Sequence, residues 1–210
     1  MMKKITLLML ALFLGYHLQA QIYYSEDFST QTAGSAPAGF TILNEDACTP
    51  NAPTVYTNSA WITLDDGAPQ GNCAKAQSWS TPVGCTVDDW LITPVINLTG
   101  AVSTTMLSWS GKSNDSYLET YEVLVSTTNT LKTSFSVLTT ITDEPDAWTT
   151  HSLSLSAYVG GNIYLAFRLI SSDEDVCSID DILVSGTPVS NLSLENTNIN
   201  GAVKQTLNGY

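Results

Sequence analysis

The chain has 210 residues, 20 acidic against 7 basic, and a net charge of −13 at neutral pH. Such a surface repels nucleic acid and anionic membranes. It suits divalent cations, and it is also ordinary for a soluble exported protein.

Residues 1–20 read as a secretory signal peptide. Lys3 and Lys4 form the positive start, Ile5 to Leu14 an apolar stretch too short to span a bilayer, and Leu18 and Ala20 flank a cut before Gln21. Removing that segment leaves 5 basic and 20 acidic residues, a net of −15. No cysteine lies near the cut, so a lipid anchor there is not expected. No later stretch is apolar enough for a membrane helix, so no membrane insertion is expected.

From Gln21 onward the pattern is β, with abundant Ser and Thr and no helical apolar stripe. The spacing predicts strands at Ile22–Phe28, Phe40–Asn44, Ala60–Thr63, Ala74–Trp79, Trp90–Ile96, Thr104–Ser110, Phe135–Ile141, Trp148–Leu155 and Cys177–Val184. Two more alternate plainly. Tyr121, Val123 and Val125 share one face of "ETYEVLVSTT". Ile163, Leu165, Phe167 and Leu169 share one face of "GNIYLAFRLI", whose other face is also mostly apolar, so this strand is expected to be central and covered on both sides. About ten to eleven short antiparallel strands with turn signals between them make an all-β jelly-roll β-sandwich. Pro94 confines its strand to an edge or a bulge. The domain runs over residues 21–186, and residues 187–210 read as a linker or C-terminal tail. Long loops rich in Gly, Pro, Asn and Asp separate the early strands, and such loops carry function in compact domains.

The signal segment takes His17, leaving His151, which is expected to face solvent from a strand. A zinc site of several histidines is therefore excluded. There is no G-x-S-x-G elbow, phosphate loop or dinucleotide fingerprint. Cys48, Cys73, Cys85 and Cys177 are the disulfide candidates of an exported chain, with three pairings open.

The acids come in pairs: Glu26-Asp27, Glu45-Asp46, Asp65-Asp66, Asp88-Asp89, Asp173-Glu174-Asp175 and Asp180-Asp181 among them. A pair of carboxylates is what a glycoside hydrolase needs, but so many pairs weaken any one of them as a catalytic signal. In a strand, neighbours point to opposite faces, so one acid of "SIDDILV" is expected on the interior side. Glu26 shares a face with Phe28, and Asp27 takes the other. A hard cation with oxygen ligands offsets the cost of such burial, and an exposed pair at a strand end avoids it. Asp88 is open as a turn cap or a secondary ion ligand. Trp90 and Trp109 read as core. Trp61 and Trp79 flank the loop holding Asp65, Asp66 and Cys73, so Trp61, Trp79, Asp65 and Asp66 are the candidate ligand-binding residues. Arg168, within an apolar strand, is expected to pair with an acid.

Five segments, in order, carry a family resemblance. They are "YSEDFS" with "SAPAGF", "VDDWLITPVINLTG", "YEVLVSTT", "AWTTHSLSLSAYVGGNIYLAFR" and "SIDDILV". The chain resembles the cleaved-adhesin and choice-of-anchor domains of Bacteroidetes surface proteins, found as adhesin modules beside the gingipain proteases and related in shape to MAM domains. Phe40 stands where that pattern has tryptophan, and Asp89 where asparagine is common. The resemblance implies a non-catalytic, secreted or cell-surface module that binds calcium structurally and adheres to an extracellular protein or glycan. It implies a calcium shared by Glu26 and Asp181, with Asp27 and Asp180 as alternates. Asp46 is a weaker metal candidate, since "LNEDACTPN" replaces the usual Asp/Gly-rich run. The tail does not show the sorting module with a P-N-P motif that many relatives carry, so the chain is expected to be part of a longer one or to be exported differently. A carbohydrate-active hydrolase and a purely structural spacer are the alternative functions.

Overall fold

The computed structural model describes residues 20–67, 69–188, 197–199 and 202–204; the expected signal peptide and most of the expected tail lie outside the described residues. The strands, in chain order, are β1 (Gln21–Glu26), β2 (Thr41–Asn44), β3 (Thr49–Pro50), β4 (Ile62–Asp65), β5 (Asn72–Gln77), β6 (Ser80–Thr81), β7 (Asp89–Ile92) and β8 (Ile96–Asn97). They continue with β9 (Met106–Lys112), β10 (Tyr121–Ser126), β11 (Ser136–Ile141), β12 (Thr149–Ser154), β13 (Asn162–Leu169) and β14 (Val176–Gly186). A separate short hairpin pairs β15 (Thr197–Ile199) with β16 (Ala202–Lys204).

Two six-stranded antiparallel sheets make the sandwich. One runs β12-β9-β14-β5-β4, with β1 also on β14; the other runs β11-β10-β13-β7-β2, with β8 also on β13. The alternation explains the core between them. Leu107, Trp109, Cys177, Ile179 and Val184 of the first sheet pack against Leu91, Tyr121, Val123, Leu165 and Phe167 of the second. Trp109 meets Phe167 edge to face at 5.8 Å, the geometry that aromatic quadrupoles favour. As expected, β13 is central, and its outer face is covered too, with Ala166 packing among Trp90, Ile92 and Leu124.

The expected strand Trp90–Ile96 is divided. β7 lies inside its sheet between β13 and β2, so Pro94 does not mark an edge. It marks a break, because proline has no N–H to give the ladder. Thr93 bridges the gap: its N–H donates to Leu165 O at 2.9 Å, and its hydroxyl accepts from Leu165 N at 3.0 Å. The two-residue strands β3 and β6 had no sequence signal. They pair beside the Cys48–Cys85 disulfide, whose Cα atoms are 5.8 Å apart.

Cys73 and Cys177 are free and buried, so a second disulfide is not formed. The register gives the reason. Cys177 lies opposite Ala76, and Cys73 is an odd number of residues from Ala76, so the two thiols occupy opposite faces of the sheet.

Candidate functional site

β14 is the longest strand and changes partner along one edge. Val176–Ile179 pair with β5, whereas Ile182–Gly186 pair with β1. Between the two lie Asp180 and Asp181. On the other edge the register with β9 shifts between Asp180 and Leu183, so β14 has one residue more than β9 there. Asp181 takes φ 50°, the left-handed conformation that Asp tolerates better than most residues. Ile179 and Ile182 both reach the core. The expectation that one of the two acids points inward is therefore wrong: the bulge takes up the extra residue and keeps both acids out of the core.

This seam holds the acids expected to share an ion. Glu26, Asp27 and Asp181 line one groove of about 490 Å³ with Ser110, Trp109 and Thr150. Asp180 is buried beside it, with Oδ2 at 2.5 Å from the Gln70 amide nitrogen; that nitrogen lies 3.3 Å from Asp181 Oδ2. Ser110 Oγ donates to Asp181 Oδ2 at 3.2 Å. Glu26 accepts from Phe28 N at 2.7 Å and from Gln31 Nε2 at 3.1 Å. Among the described residues no basic side chain forms an ion pair with Glu26, Asp180 or Asp181. Burial pushes the Asp180 carboxyl up to about 6. The exposed Asp27 is held below the usual carboxylate range by the Ser29 hydroxyl and N–H. Among the described residues no three Asp, Glu, His or Cys side chains are already arranged as a metal cage. Gln70 had no sequence signal of its own; only the β4–β5 turn brings it to residues more than a hundred positions later.

Asp46 is not in the seam. Its Oδ1 accepts from Cys48 N at 2.7 Å, its Oδ2 accepts from Asp88 N, and so it caps the disulfide loop. Asp88 accepts from Trp90 Nε1 and, at 2.6 Å, from Arg168 Nε, while Arg168 also reaches Glu122 at 3.0 Å. Arg168 is thus the structural ion pair expected of it.

The expected ligand site does not assemble. Trp61 is fully buried and donates its indole N–H to Asp89 O at 3.0 Å, which removes it from any binding surface. Asp65 caps the turn at Gly67 N. Asp66 holds Lys75 at 2.5 Å, Lys112 at 2.8 Å and the Trp148 indole at 3.0 Å. Although burial works against its charge, the bonds from Lys112 and Lys75 keep it below the usual carboxylate range. Asp65 and Asp66 line a second pocket of about 450 Å³ with Tyr56, Lys75 and Lys112 and no tryptophan. Trp79, 50% exposed, lies elsewhere, in a cleft of about 370 Å³ shared with Tyr117, Asp173, Glu174 and Asp175. Tyr117 was missed, although a lone aromatic in the polar loop "KSNDSYLE" is a readable sign of a surface contact.

His151 is also not the solvent-facing histidine expected. It stacks on Trp109 at 5.2 Å, and its Nε2 lies 2.9 Å from a carboxylate oxygen of the fully buried Glu144. Glu144 accepts from Tyr121 Oη at 2.7 Å, which accepts from Trp109 Nε1 at 2.9 Å. Among the described residues His151 bonds to no serine or threonine hydroxyl. This buried network holds β9, β10 and β12 together.

The two antiparallel sheets make a β-sandwich, the architecture of the solved adhesin and carbohydrate-binding modules named below. Residues 24–184 match the cleaved adhesin domain, and the chain belongs to that family. The K2 cleaved adhesin domain of Lys-gingipain is similar in structure, with TM-score 0.60 and 22% identity over 77% of this chain and 98% of that one. The K1 domain of Lys-gingipain from Porphyromonas gingivalis W83 gives TM-score 0.59 and 21% identity over 81% and 99%. TmCBM61, solved with beta-1,4-galactotriose, gives TM-score 0.52 and 9% identity over 78% and 97%. At these identities the likeness shows the fold. No curated protein matches the sequence. No helix among the described residues is long and apolar enough to cross a membrane.

Proposed function

We propose that this chain is a secreted or cell-surface, non-catalytic binding module that adheres to an extracellular protein or glycan and is stabilised by calcium. The observation that carries this reading is the cleaved adhesin match over residues 24–184, which spans the sandwich from β1 to β14. The donors at the seam fit a hard cation. Glu26, Asp180 and Asp181 bring carboxylates, Ser110 a hydroxyl, and Gln70 a carboxamide whose oxygen serves as well as its nitrogen. The buried Asp180 lacks a counter-charge, and a cation supplies one. Glu26 of β1, Gln70 of the β4–β5 turn and Asp180 and Asp181 of the β14 bulge would hold it, and it would supply the counter-charge the seam lacks.

Thermal unfolding of the metal-free mature chain, with calcium and with EDTA, tests the calcium part. Calcium at about 1,000 times its Kd adds about 4 kcal/mol and raises the Tm. Glu26→Gln with Asp181→Asn abolishes the rise. Identical melting with and without calcium removes calcium from the proposal. A panel of glycans and extracellular proteins, read for both binding and turnover, tests the rest: binding without turnover is expected, and turnover of a glycan replaces the adhesion reading with the hydrolase one.

A further inference from the structure

The cleft around Trp79 is separate from the acidic seam, and its parts come from three distant segments. Ser78–Trp79 follows β5, Tyr117 lies in the loop before β10, and Asp173–Asp175 precede β14. Trp79 is 50% exposed and Tyr117 51%. Leaving large aromatic surface in water forgoes the gain of burying it, so two such rings on one cleft wall point to an occupant.

The support beneath the cleft is rigid. Glu119 is fully buried, and its Oε1 accepts from Ser78 Oγ at 2.7 Å and from Asp175 N at 3.1 Å. The same residue follows the Tyr117 loop, where Glu119 N donates to Ser113 Oγ at 2.8 Å. Ser78 N donates to Asp175 O at 3.0 Å, and Asn114 Nδ2 donates to an Asp175 carboxylate oxygen. One buried carboxylate thus fixes the segments that carry Trp79, Tyr117 and the three acids. Its Oε2 has no hydrogen-bond partner among the described residues.

The chemistry of the wall selects the guest. The lining side chains are two aromatic rings and three carboxylates, with no basic residue among them. Asp173 and Glu174 form no ion pair among the described residues. Ionised carboxylates only accept hydrogen bonds, and a guanidinium only donates them. A guanidinium also stacks on indole and phenol faces and forks a carboxylate in two parallel bonds. A neutral sugar ring can stack on the aromatics, but beside the indole N–H and the phenol O–H the three carboxylates of this wall only accept, whereas a guanidinium meets them with donors alone. Acidic sugars are repelled.

We propose that the Trp79–Tyr117 cleft captures an arginine side chain of a partner protein, stacked on the two rings and held by Asp173, Glu174 and Asp175. This rests on the reading of the chain as a binding module and names its contact point. The probe is a short arginine–glycine peptide, titrated into the folded mature chain with calcium present and followed by amide and indole NMR. Its citrulline counterpart and a neutral oligosaccharide are the comparison ligands. The expected result is a shift of the Trp79 indole and of residues 173–175, with binding at least about tenfold weaker for citrulline and at high salt, where exposed charge interactions are screened. Trp79→Ala and the paired Asp173→Asn, Glu174→Gln change each weaken it by a similar factor while leaving the Tm unchanged. Oligosaccharide bound at these signals in place of the peptide overturns the proposal in favour of a glycan site. Peptide binding that survives both variants overturns it as diffuse attraction to an acidic surface. If a panel protein or glycan binds the chain and Trp79→Ala leaves that unaltered, the cleft proposal falls and the module reading stands. If nothing binds the chain at all, the module reading falls with it.

Discussion

Asp89 sits in β7 with 1% exposure, one carboxylate oxygen without a hydrogen-bond partner, and Asp46 and Asp88 close by. Burial first, and then those two charges, push its carboxyl up to about 8. The folded chain therefore holds a proton that the unfolded chain releases near pH 4. For an acid raised in this way, stability falls as pH rises from about 4 to about 8, because the unfolded state binds fewer protons throughout that window. Glu119, raised by burial to about 7, acts in the same direction. The metal-free protein is expected to show a higher urea midpoint at pH 5 than at pH 8. Asp89→Asn puts an uncharged side chain of the same shape there; it raises stability at pH 8 by about 1 kcal/mol or more and changes it little at pH 5. An equal loss at both pH values refutes the argument. Gly111 sets a second residue-scale limit. A Cβ there comes within 2.6 Å of Tyr121 Oη and 2.7 Å of Glu144 Oε2. Gly111→Ala is expected to cost about 1–3 kcal/mol by overpacking, read as a lower denaturant midpoint with an unchanged slope.

At the scale of elements, the alternation of apolar residues made most strands legible, because a side-chain period of two survives wherever one face packs on a core. Tyr121, Val123 and Val125 face the core as their spacing requires. The places that misled are those where another part of the chain intervenes. Strict alternation put one of Asp180 and Asp181 inside; a bulge against β9 keeps both outside. Trp61, in an expected strand beside the Asp65–Asp66 loop, was read as a ligand contact; it is buried instead, with its indole bonded to a backbone oxygen 28 residues away. Glu26 and Asp181 were brought together by resemblance and do line one groove, whereas Tyr117 and Asp173–Asp175 join Trp79 only through contacts that no local pattern encodes. Asp66 shows what such a contact is worth. It joins Lys75 of β5, Lys112 of β9 and Trp148 just before β12. Replacing it with asparagine leaves two lysines together without their shared counter-charge. Asp66→Asn is expected to cost about 1–3 kcal/mol, more than an exposed ion pair of about 0–1 kcal/mol. A loss that high salt leaves nearly intact marks the partly buried geometry; a loss abolished by salt refutes it.

At the scale of the whole molecule, the single disulfide does more than join two loops. Cys48 follows β2 and Cys85 precedes β7, and those two strands are already paired. The bridge closes a separation of 37 residues that contains β3 to β6, and so pins the excursion carrying β4 and β5 of the first sheet at the β2–β7 pair of the second. Closing a loop of this size in the unfolded chain is worth about 3–4 kcal/mol. Cys48→Ser with Cys85→Ser is expected to lower stability by about that amount, measured by urea unfolding. The two remaining cysteines make the prediction specific. Burial pushes the Cys73 thiol up to about 12 and Cys177 well above its ordinary range, and both are fully enclosed. Reactivity needs an accessible thiolate. The native chain should therefore show no thiol to a labelling reagent, two after denaturation and four after denaturation with reduction. Finding no free thiol in the denatured, unreduced chain would mean that Cys73 and Cys177 are joined. That requires them to lie opposite one another, and the pairing of β5 with β14 would then have to be wrong by three residues.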